Sequence, residues 1–291
     1  MDGSCASIDN GVTWTGTNSG FCALSMGKNS AGLFAGSENA IYFSTNNGSS
    51  WTNVYTTGNN NITWGFAFLH DTVFAATFSS GIITSPDNGV TWYSSNMGLP
   101  NDTLLTVFSK DNILYAGTYG HGIYISIDAG NSWFPSYIGI PSGTYIKDFA
   151  TDGVNIYATS YGTIYISNNG GTSWYAAPLI VGPTFTIAKI ACISNAILAG
   201  GYTPAGAEGM YRSLDSGATW ALFNMGLPTG CPYGIGAIYP TSAYAFCGME
   251  SNGCGTVFRI PISEVISSVK TTQFLKIVTK YIRIPLQISL L

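Results

Sequence analysis

Residues 114–133 read LYAGTYGHGIYISIDAGNSW. Two short runs rich in aromatic, β-branched and small residues flank a Gly-x-Gly break, the pattern of two strands joined by a tight turn. The second run leads into SIDAGNSW (126–133), and that ending recurs. SIDNGVTW (7–14), STNNGSSW (44–51), SPDNGVTW (85–92), SNNGGTSW (167–174) and SLDSGATW (213–220) share the pattern Ser-x-Asp/Asn-x-Gly-x-Ser/Thr-Trp. The six copies start at intervals of 37, 41, 41, 41 and 46 residues.

A period near 40 is that of a four-stranded propeller blade. IYATSYGTIYIS (156–167) and LFAGSENAIYFS (33–44) repeat the two-strand run, and an earlier apolar stretch such as LLTVFSKD (104–111) precedes it. Each unit therefore reads as strands A to D, with the recurring octapeptide as the C–D turn. The Asp or Asn side chain can accept from N–H groups that a tight turn leaves unpaired, the Ser hydroxyl can close the other side, and glycines such as Gly11 and Gly48 can take φ > 0. The Trp is expected to fold between neighbouring sheets, burying on the order of 200 Å². Asp9 with Trp14, Asn46 with Trp51, Asp87 with Trp92, Asp128 with Trp133, Asn169 with Trp174 and Asp215 with Trp220 are thus structural pairs.

The expectation is an all-β protein, a β-propeller of six to seven four-stranded blades over residues 1–265, followed by a basic, apolar tail, 266–291, without a fold of its own. Five complete units lie between about Phe21 and Pro228, with a C–D hairpin before them (1–19) and an A–B–C set after (235–262). Six blades close if the hairpin completes the last one; a seventh is implied if the surplus strand VFRIP belongs to a blade whose first strands lie upstream.

Composition supports strands and turns: charged residues are 8% of the chain, aromatics 14%, and no amphipathic helix is evident. Residues 1–265 carry all 14 acids and six bases, whereas 266–291 carry four bases and no acid. An acidic body argues against nucleic acid. No uncharged apolar run reaches the length of a membrane span. Met1-Asp2-Gly3-Ser4 has no signal-peptide pattern, so the address is either cytoplasmic or set by a start further upstream; the repeat count favours the latter. Six cysteines show no CxxC spacing, so neither a metal nor another cofactor is expected. Cys247 and Cys254 are either a bridged pair or buried thiols.

The six in-phase octapeptides resemble the Asp-box, or bacterial neuraminidase, repeat over nearly all of residues 1–265. The resemblance implies a propeller whose boxes lie at the periphery, opposite the usual ligand face, and act structurally. Asn46 and Asn169 fit that role, since a general acid or metal ligand could not lose its carboxylate while the rest of the motif stays intact. Phe258-Arg259-Ile260-Pro261 also resembles the sialidase FRIP motif. In sialidases it precedes the first box and supplies one of three substrate-clamping arginines; here it follows the last box. Arg259 aligns with Arg212 on a third strand, and Arg283, the remaining arginine, is in the tail, so no carboxylate clamp can be assembled.

A glycosidase of the Asp-box type needs two carboxylates across a cleft. Asp71, Asp111 and Asp152 all fall at A–B turns and are explained by the repeat, which leaves Asp102 and Glu208 as the pair to consider. No catalytic residue is assigned. With boxes on one face, the B–C turns and D–A loops fall on the other. The aligned B–C turns carry Phe78, Tyr119, Tyr161 and Tyr202, with His121 beside Tyr119, and Trp64 adjoins a D–A loop. These six residues are the expected binding face, suited to stacking on a sugar or gripping a peptide; inter-blade packing is the alternative for the aromatics. The D–A loops 96–102 and 224–234, rich in Gly and Pro, add variable surface.

VFRIPISEVISSV (257–269) resembles the segment that closes Asp-box propellers in secreted proteins of Bacteroidota-like bacteria, where a type IX sorting domain follows. Its Tyr-Pro-Asn-Pro-Phe motif is absent, yet codons for Tyr281-Ile-Arg-Ile-Pro-Leu-Gln can be chosen that encode it in another phase, so a frameshift near residue 270 is expected. The functional expectation is a monomeric, non-catalytic propeller, secreted or on the cell surface, that binds a glycan, peptide or protein. An Asp-box glycoside hydrolase is the first alternative. An assembly factor or receptor is the second, because photosystem II stability factors and sortilin-type receptors also resemble this repeat.

Overall fold

A computed structural model describes residues 4–7, 9–17, 19–100, 103–178, 185–202, 208–223, 235–251, 254–267 and 289–290. The first strands are β1 (Ser4–Ser7) and β2 (Thr15–Thr17). Five four-stranded antiparallel sheets follow in chain order. They are β3 (Ser25–Lys28), β4 (Leu33–Gly36), β5 (Ala40–Ser44) and β6 (Thr52–Thr56); then β7 (Thr63–Leu69), β8 (Thr72–Thr77), β9 (Ile82–Ser85) and β10 (Tyr93–Ser94). Next come β11 (Leu104–Lys110), β12 (Ile113–Thr118), β13 (Ile123–Ser126) and β14 (Phe134–Pro135), and β15 (Asp148–Thr151), β16 (Ile156–Thr159), β17 (Ile164–Ser167) and β18 (Tyr175–Ala176). The fifth holds β19 (Thr186–Ile193), β20 (Ala196–Tyr202), β21 (Glu208–Ser213) and β22 (Ala221–Leu222). A three-stranded sheet of β23 (Ile235–Pro240), β24 (Tyr244–Ser251) and β25 (Cys254–Pro261) precedes the single turn of helix α1 (Ile262–Val265); β26 (Ser289–Leu290) is the last element.

Two compact units divide the chain, one built on Gly16–Lys147 with Met1–Ala6 and Leu291, the other on Asp148–Leu290 with Ser7–Thr15. Within each, consecutive strands pair in the A-to-D order, and the octapeptide joins the third strand to the fourth. The second strands are buried along most of their length, and along all of it in Leu33–Gly36 and Ile156–Thr159, because both faces of each sheet are covered. The outer strands β10, β14, β18 and β22 are only two residues long and exposed, which limits the edge open to pairing with another chain. Strands β1 and β2 lie in a different sheet from β23–β25. The hairpin is therefore not the fourth strand of the last sheet. Where a box would follow β25, α1 packs Val265 among Met210, Phe223, Ala245 and Cys247 instead. Of the tail, residues 268–288 lie outside the described residues.

The six box turns share one hydrogen-bond scheme. In the fourth, Ser126 Oγ donates to Asp128 Oδ1 (2.7 Å), Gly130 N to Ser126 Oγ (2.8 Å), and Ser132 N to Asp128 Oδ1 (2.9 Å). The Asn copies keep it by reversing one bond: Asn46 Nδ2 donates to Ser50 Oγ (2.8 Å) and Asn169 Nδ2 to Ser173 Oγ (2.9 Å), where Thr13 Oγ1 and Thr91 Oγ1 donate to Asp9 (2.5 Å) and Asp87 (2.6 Å). A hydroxyl both donates and accepts, so the turn tolerates either residue. These bonds hold the box carboxylates ionised. The Thr13 hydroxyl lowers Asp9 to about 2, and Asp87, Asp128 and Asp215 are lowered chiefly by the hydroxyls of Thr91, Ser132 and Thr219. Two successive residues take positive φ rather than the glycine alone: Asn10, Asn47, Asn88, Ala129, Gly170 and Ser216 precede Gly11, Gly48, Gly89, Gly130, Gly171 and Gly217. Asn and Gly accept that geometry readily, Ala and Ser less so.

Three of the box tryptophans pack on the sheet before their own. Trp92 packs against Phe34 and Ile41, Trp133 against Phe74, Ala76 and Ile82, and Trp220 against Tyr157, Ile164 and Ile166. Trp14 sits with Phe246 and Val257, and Trp51 with Phe21, Ala23 and Ala35. Trp174 is buried against Phe149. Cys247 is a free, buried thiol beside the Met210 sulfur (3.8 Å), and its cross-strand neighbour is Phe258 rather than Cys254. The bridge allowed by sequence is thus not formed, and burial pushes that thiol up to about 12.

Candidate functional site

The turns between second and third strands are capped by hydroxyls. Thr77 Oγ1 donates to Gly81 O (2.9 Å), Thr118 Oγ1 to Gly122 O (2.8 Å) and Ser37 Oγ to Ala40 O (3.0 Å). Backbone bonds then tie these turns to residues further along the chain, in the first strand of the following sheet for Thr63 and Ile187 and ahead of it for Ile146: Thr63 N donates to Ser37 O, Ile146 N to Thr118 O and Ile187 N to Ser160 O, at 3.1, 3.2 and 3.2 Å. The residue after the capping Ser or Thr is consequently held by the backbone while its side chain is left outside. Phe78, Tyr119 and Tyr161 occupy that place at 41, 47 and 45% exposure. Tyr202, at 40%, differs in being the last residue of β20, paired with Thr186 and Glu208. All four keep 40 to 47% exposure.

Around Tyr119 the structure assembles a corner. Tyr119 N donates to Thr103 O (3.2 Å), Gly122 N to Thr144 O (3.1 Å) and His121 N to Thr118 Oγ1 (3.0 Å). Ile146 is fully buried, and in an extended segment its neighbours Tyr145 and Lys147 take the opposite side. The Tyr145 ring stands edge-to-face on Tyr119, centroids 4.4 Å apart at 86°. Lys147 is half-buried; desolvation lowers its pKa, and the electrostatic interaction with Tyr119 opposes this. His121 is exposed on the same turn. Tyr145 and Lys147 escape sequence reading because they lie in a different repeat from Tyr119. Trp64 occupies the place equivalent to Lys147 beside Thr63, half-buried, with its indole N–H unpartnered.

A second polar group lies on the innermost strands. Cross-strand register makes Ser25, Gly65, Thr106, Asp148, Lys189 and Ala237 equivalent, opposite Gly36, Ala76, Gly117, Thr159, Gly200 and Gly248. Ser25 Oγ donates to Thr63 O (2.6 Å), and Asp148 Oδ2 accepts from Ile190 N (3.1 Å), so this position braces one sheet on the next. Desolvation raises the Asp148 pKa, and Lys189 opposes the rise. The charged neighbour of this carboxyl is a base, not the second carboxylate that glycoside hydrolysis uses.

Of the pair considered for hydrolysis, Asp102 lies outside the described residues, as does loop 224–234, and Glu208 opens β21. Asp111 is exposed and ion-paired with Lys110; Asp152 accepts from the Tyr157 hydroxyl (2.6 Å). The two body arginines are engaged. Arg259 Nη1 donates to Asn10 O (2.7 Å) with its guanidinium 4.7 Å from the Tyr244 ring centroid. Arg212 Nη1 donates to the carbonyls of Glu264, Val265 and Ser267 (3.1, 3.0 and 2.9 Å), capping the end of α1. Among the described residues no cluster of three or more His, Cys, Asp or Glu could hold a metal ion, and no helix is long and apolar enough to cross a membrane.

No family model and no curated protein matches the sequence. Solved structures do. The GH74 xyloglucanase from Xanthomonas campestris superposes with a TM-score of 0.65 at 17% identity, over 85% of this chain and 47% of the enzyme. The extracellular domain of the putative hybrid two-component system BT4673 from B. thetaiotaomicron gives 0.68 at 15% identity, over 85% and 34%. YCF48 bound to D1 peptide gives 0.63 at 11% identity, over 83% and 80%. The chain thus spans less than half of the first two. At such identities the likeness is one of fold, and together with the repeated four-stranded sheets it makes this chain a β-propeller.

Proposed function

We propose that the chain is a non-catalytic, extracellular or cell-surface binding propeller for a glycan, peptide or protein, braced by Asp-box turns and binding through its B–C-turn aromatics. The observation that carries this is the exposure of Phe78, Tyr119 and Tyr161 on turns whose backbones are fastened, with Tyr202 exposed at the end of β20. Large rings held rigidly in water lose little entropy on binding a ligand and gain apolar contact. The ionised box acids and the braced Asp148 favour binding over hydrolysis, as does the engagement of both arginines.

An array of glycans and peptides probed with the full chain tests the reading. Tyr119→Ala and Tyr161→Ala should each weaken whatever binds by roughly 1 to 2 kcal/mol, the scale of a lost stacking contact with its buried area. Binding that survives both changes overturns the proposed face, and release of reducing sugar from any arrayed glycan overturns the non-catalytic assignment. YCF48, solved with a D1 peptide, makes peptides a necessary arm of the array. The extracellular address rests on the resemblance of residues 257–269 to segments that precede type IX sorting domains. The nucleotide sequence across residues 270–291 tests the accompanying frameshift: one codon incompatible with the shifted Tyr-Pro-Asn-Pro-Phe removes it.

A further inference from the structure

We propose that Tyr119, Tyr145, Lys147 and His121 form a subsite for one hexuronic acid residue of an acidic glycan, a specificity that rests on the binding reading above. Three features converge. Two rings at 86° with centroids 4.4 Å apart leave the exposed Tyr119 a platform for the flat C–H face of a pyranose, with Tyr145 as its wall. The segment carrying Tyr145 and Lys147 is fixed to the Tyr119 turn by the Ile146–Thr118 and Gly122–Thr144 hydrogen bonds, so the backbone positions from which ring and ammonium extend hold one spacing. An ammonium bears three donors, enough to keep its present contacts and accept a ligand carboxylate.

Charge narrows the ligand class. Of the six bases in residues 1–265, Lys110 is paired with Asp111, Arg212 and Arg259 cap backbone carbonyls, Lys189 neighbours Asp148, and Lys28 ends β3. Lys147 interacts electrostatically with Tyr119, the exposed ring of the corner. Its lowered pKa reflects water already removed around it, which strengthens its attraction for a carboxylate. The corner supplies one ammonium, which matches one carboxylate. One carboxylate on a rigid ring therefore suits the corner better than a polyphosphate, and an aromatic-flanked hydroxyl and imidazole edge favours a polyol.

Calorimetry of the full chain with tetragalacturonate and with its methyl ester tests this, alongside Lys147→Met and Tyr119→Ala. The acid should bind at least tenfold more tightly than the ester. Lys147→Met, which keeps an apolar stem, should abolish that ratio. Tyr119→Ala should weaken both ligands. Equal affinity for acid and ester, or a ratio that survives Lys147→Met, overturns the uronate assignment; if Tyr119→Ala still weakens the ester, the binding face itself stands. A carboxyl-terminal aromatic peptide that binds as tightly as tetragalacturonate, with the same Lys147 dependence, also overturns it. Failure of every glycan and peptide to depend on Tyr119 brings down the parent reading as well.

Discussion

One substitution made at four equivalent tryptophans should have three different costs, set by the indole N–H. Trp133 is 2% exposed and its Nε1 donates to Ser95 O at 2.7 Å. Trp133→Phe removes that donor from a buried carbonyl, costing about 1 to 3 kcal/mol, and trims a ring from a packed site, adding about 1 kcal/mol. The sum is about 2 to 4 kcal/mol. Trp92 and Trp220 are half-buried and donate within their own turns, to Gly89 O (3.2 Å) and Gly217 O (3.0 Å), where water can replace the donor. Their Phe variants should lose about 1 to 2 kcal/mol. Trp51 has a buried Nε1 with no partner. There, Phe removes an unsatisfied N–H, and the gain of about 1 to 2 kcal/mol offsets the lost packing, leaving a change near zero. Urea unfolding of each variant, followed by far-ultraviolet circular dichroism to avoid the altered fluorophore, gives the order directly. Should Trp51→Phe cost as much as Trp133→Phe, the assignment of these costs to indole hydrogen bonding is wrong.

Two further outcomes concern the box turns. The folded pKa values of Asp9, Asp87, Asp128 and Asp215 lie below the ordinary 3.8, so their bonds contribute fully above about pH 4 and are lost as pH falls through the folded values, to about 2 for Asp9. Replacing all four by Asn, which Asn46 and Asn169 show the turn accepts, should move the midpoint of acid unfolding to lower pH; a midpoint that stays or rises refutes this. Ala129, exposed at φ 57°, holds a conformation that the corresponding Asn10, Asn47 and Asn88 adopt more cheaply. Ala129→Asn should raise stability by about 1 kcal/mol, read as an increase in thermal midpoint, and a decrease would show that the turn is not strained there.

The architecture was open to sequence reading where its causes are local. A box is closed by bonds spanning two and four residues, such as Ser126 to Asp128 and Asp128 to Ser132, so its residue types appear together in eight letters and mark six of the seven described sheets. The hairpin turns likewise announce their aromatics, because the capping Thr118 immediately precedes Tyr119. The limits begin where one repeat meets the next. Whether the first hairpin completes the last sheet is decided by pairing between residues more than two hundred positions apart, and both answers satisfied the same pattern. Lys147 and Tyr145 are brought to Tyr119 by the bond from Ile146 to Thr118, across a Gly- and Pro-containing stretch with no periodicity. The trace that could have been read is the alternation itself: a lone buried isoleucine between a tyrosine and a lysine, at the point where Thr63 stands between Ile62 and Trp64. Such inter-repeat positions escape the repeat's own constraints. Box residues must satisfy a shared turn and so stay alike, whereas the residue beside each pinned Thr or Ile meets no common geometric demand and differs from sheet to sheet: Trp64, Lys147, Ala188. Variation at a backbone-fixed place is what a scaffold needs to acquire one recognition chemistry without disturbing its fold. On the proposed reading, these junctions, more than the boxes that reveal the fold, would set the ligand of this propeller.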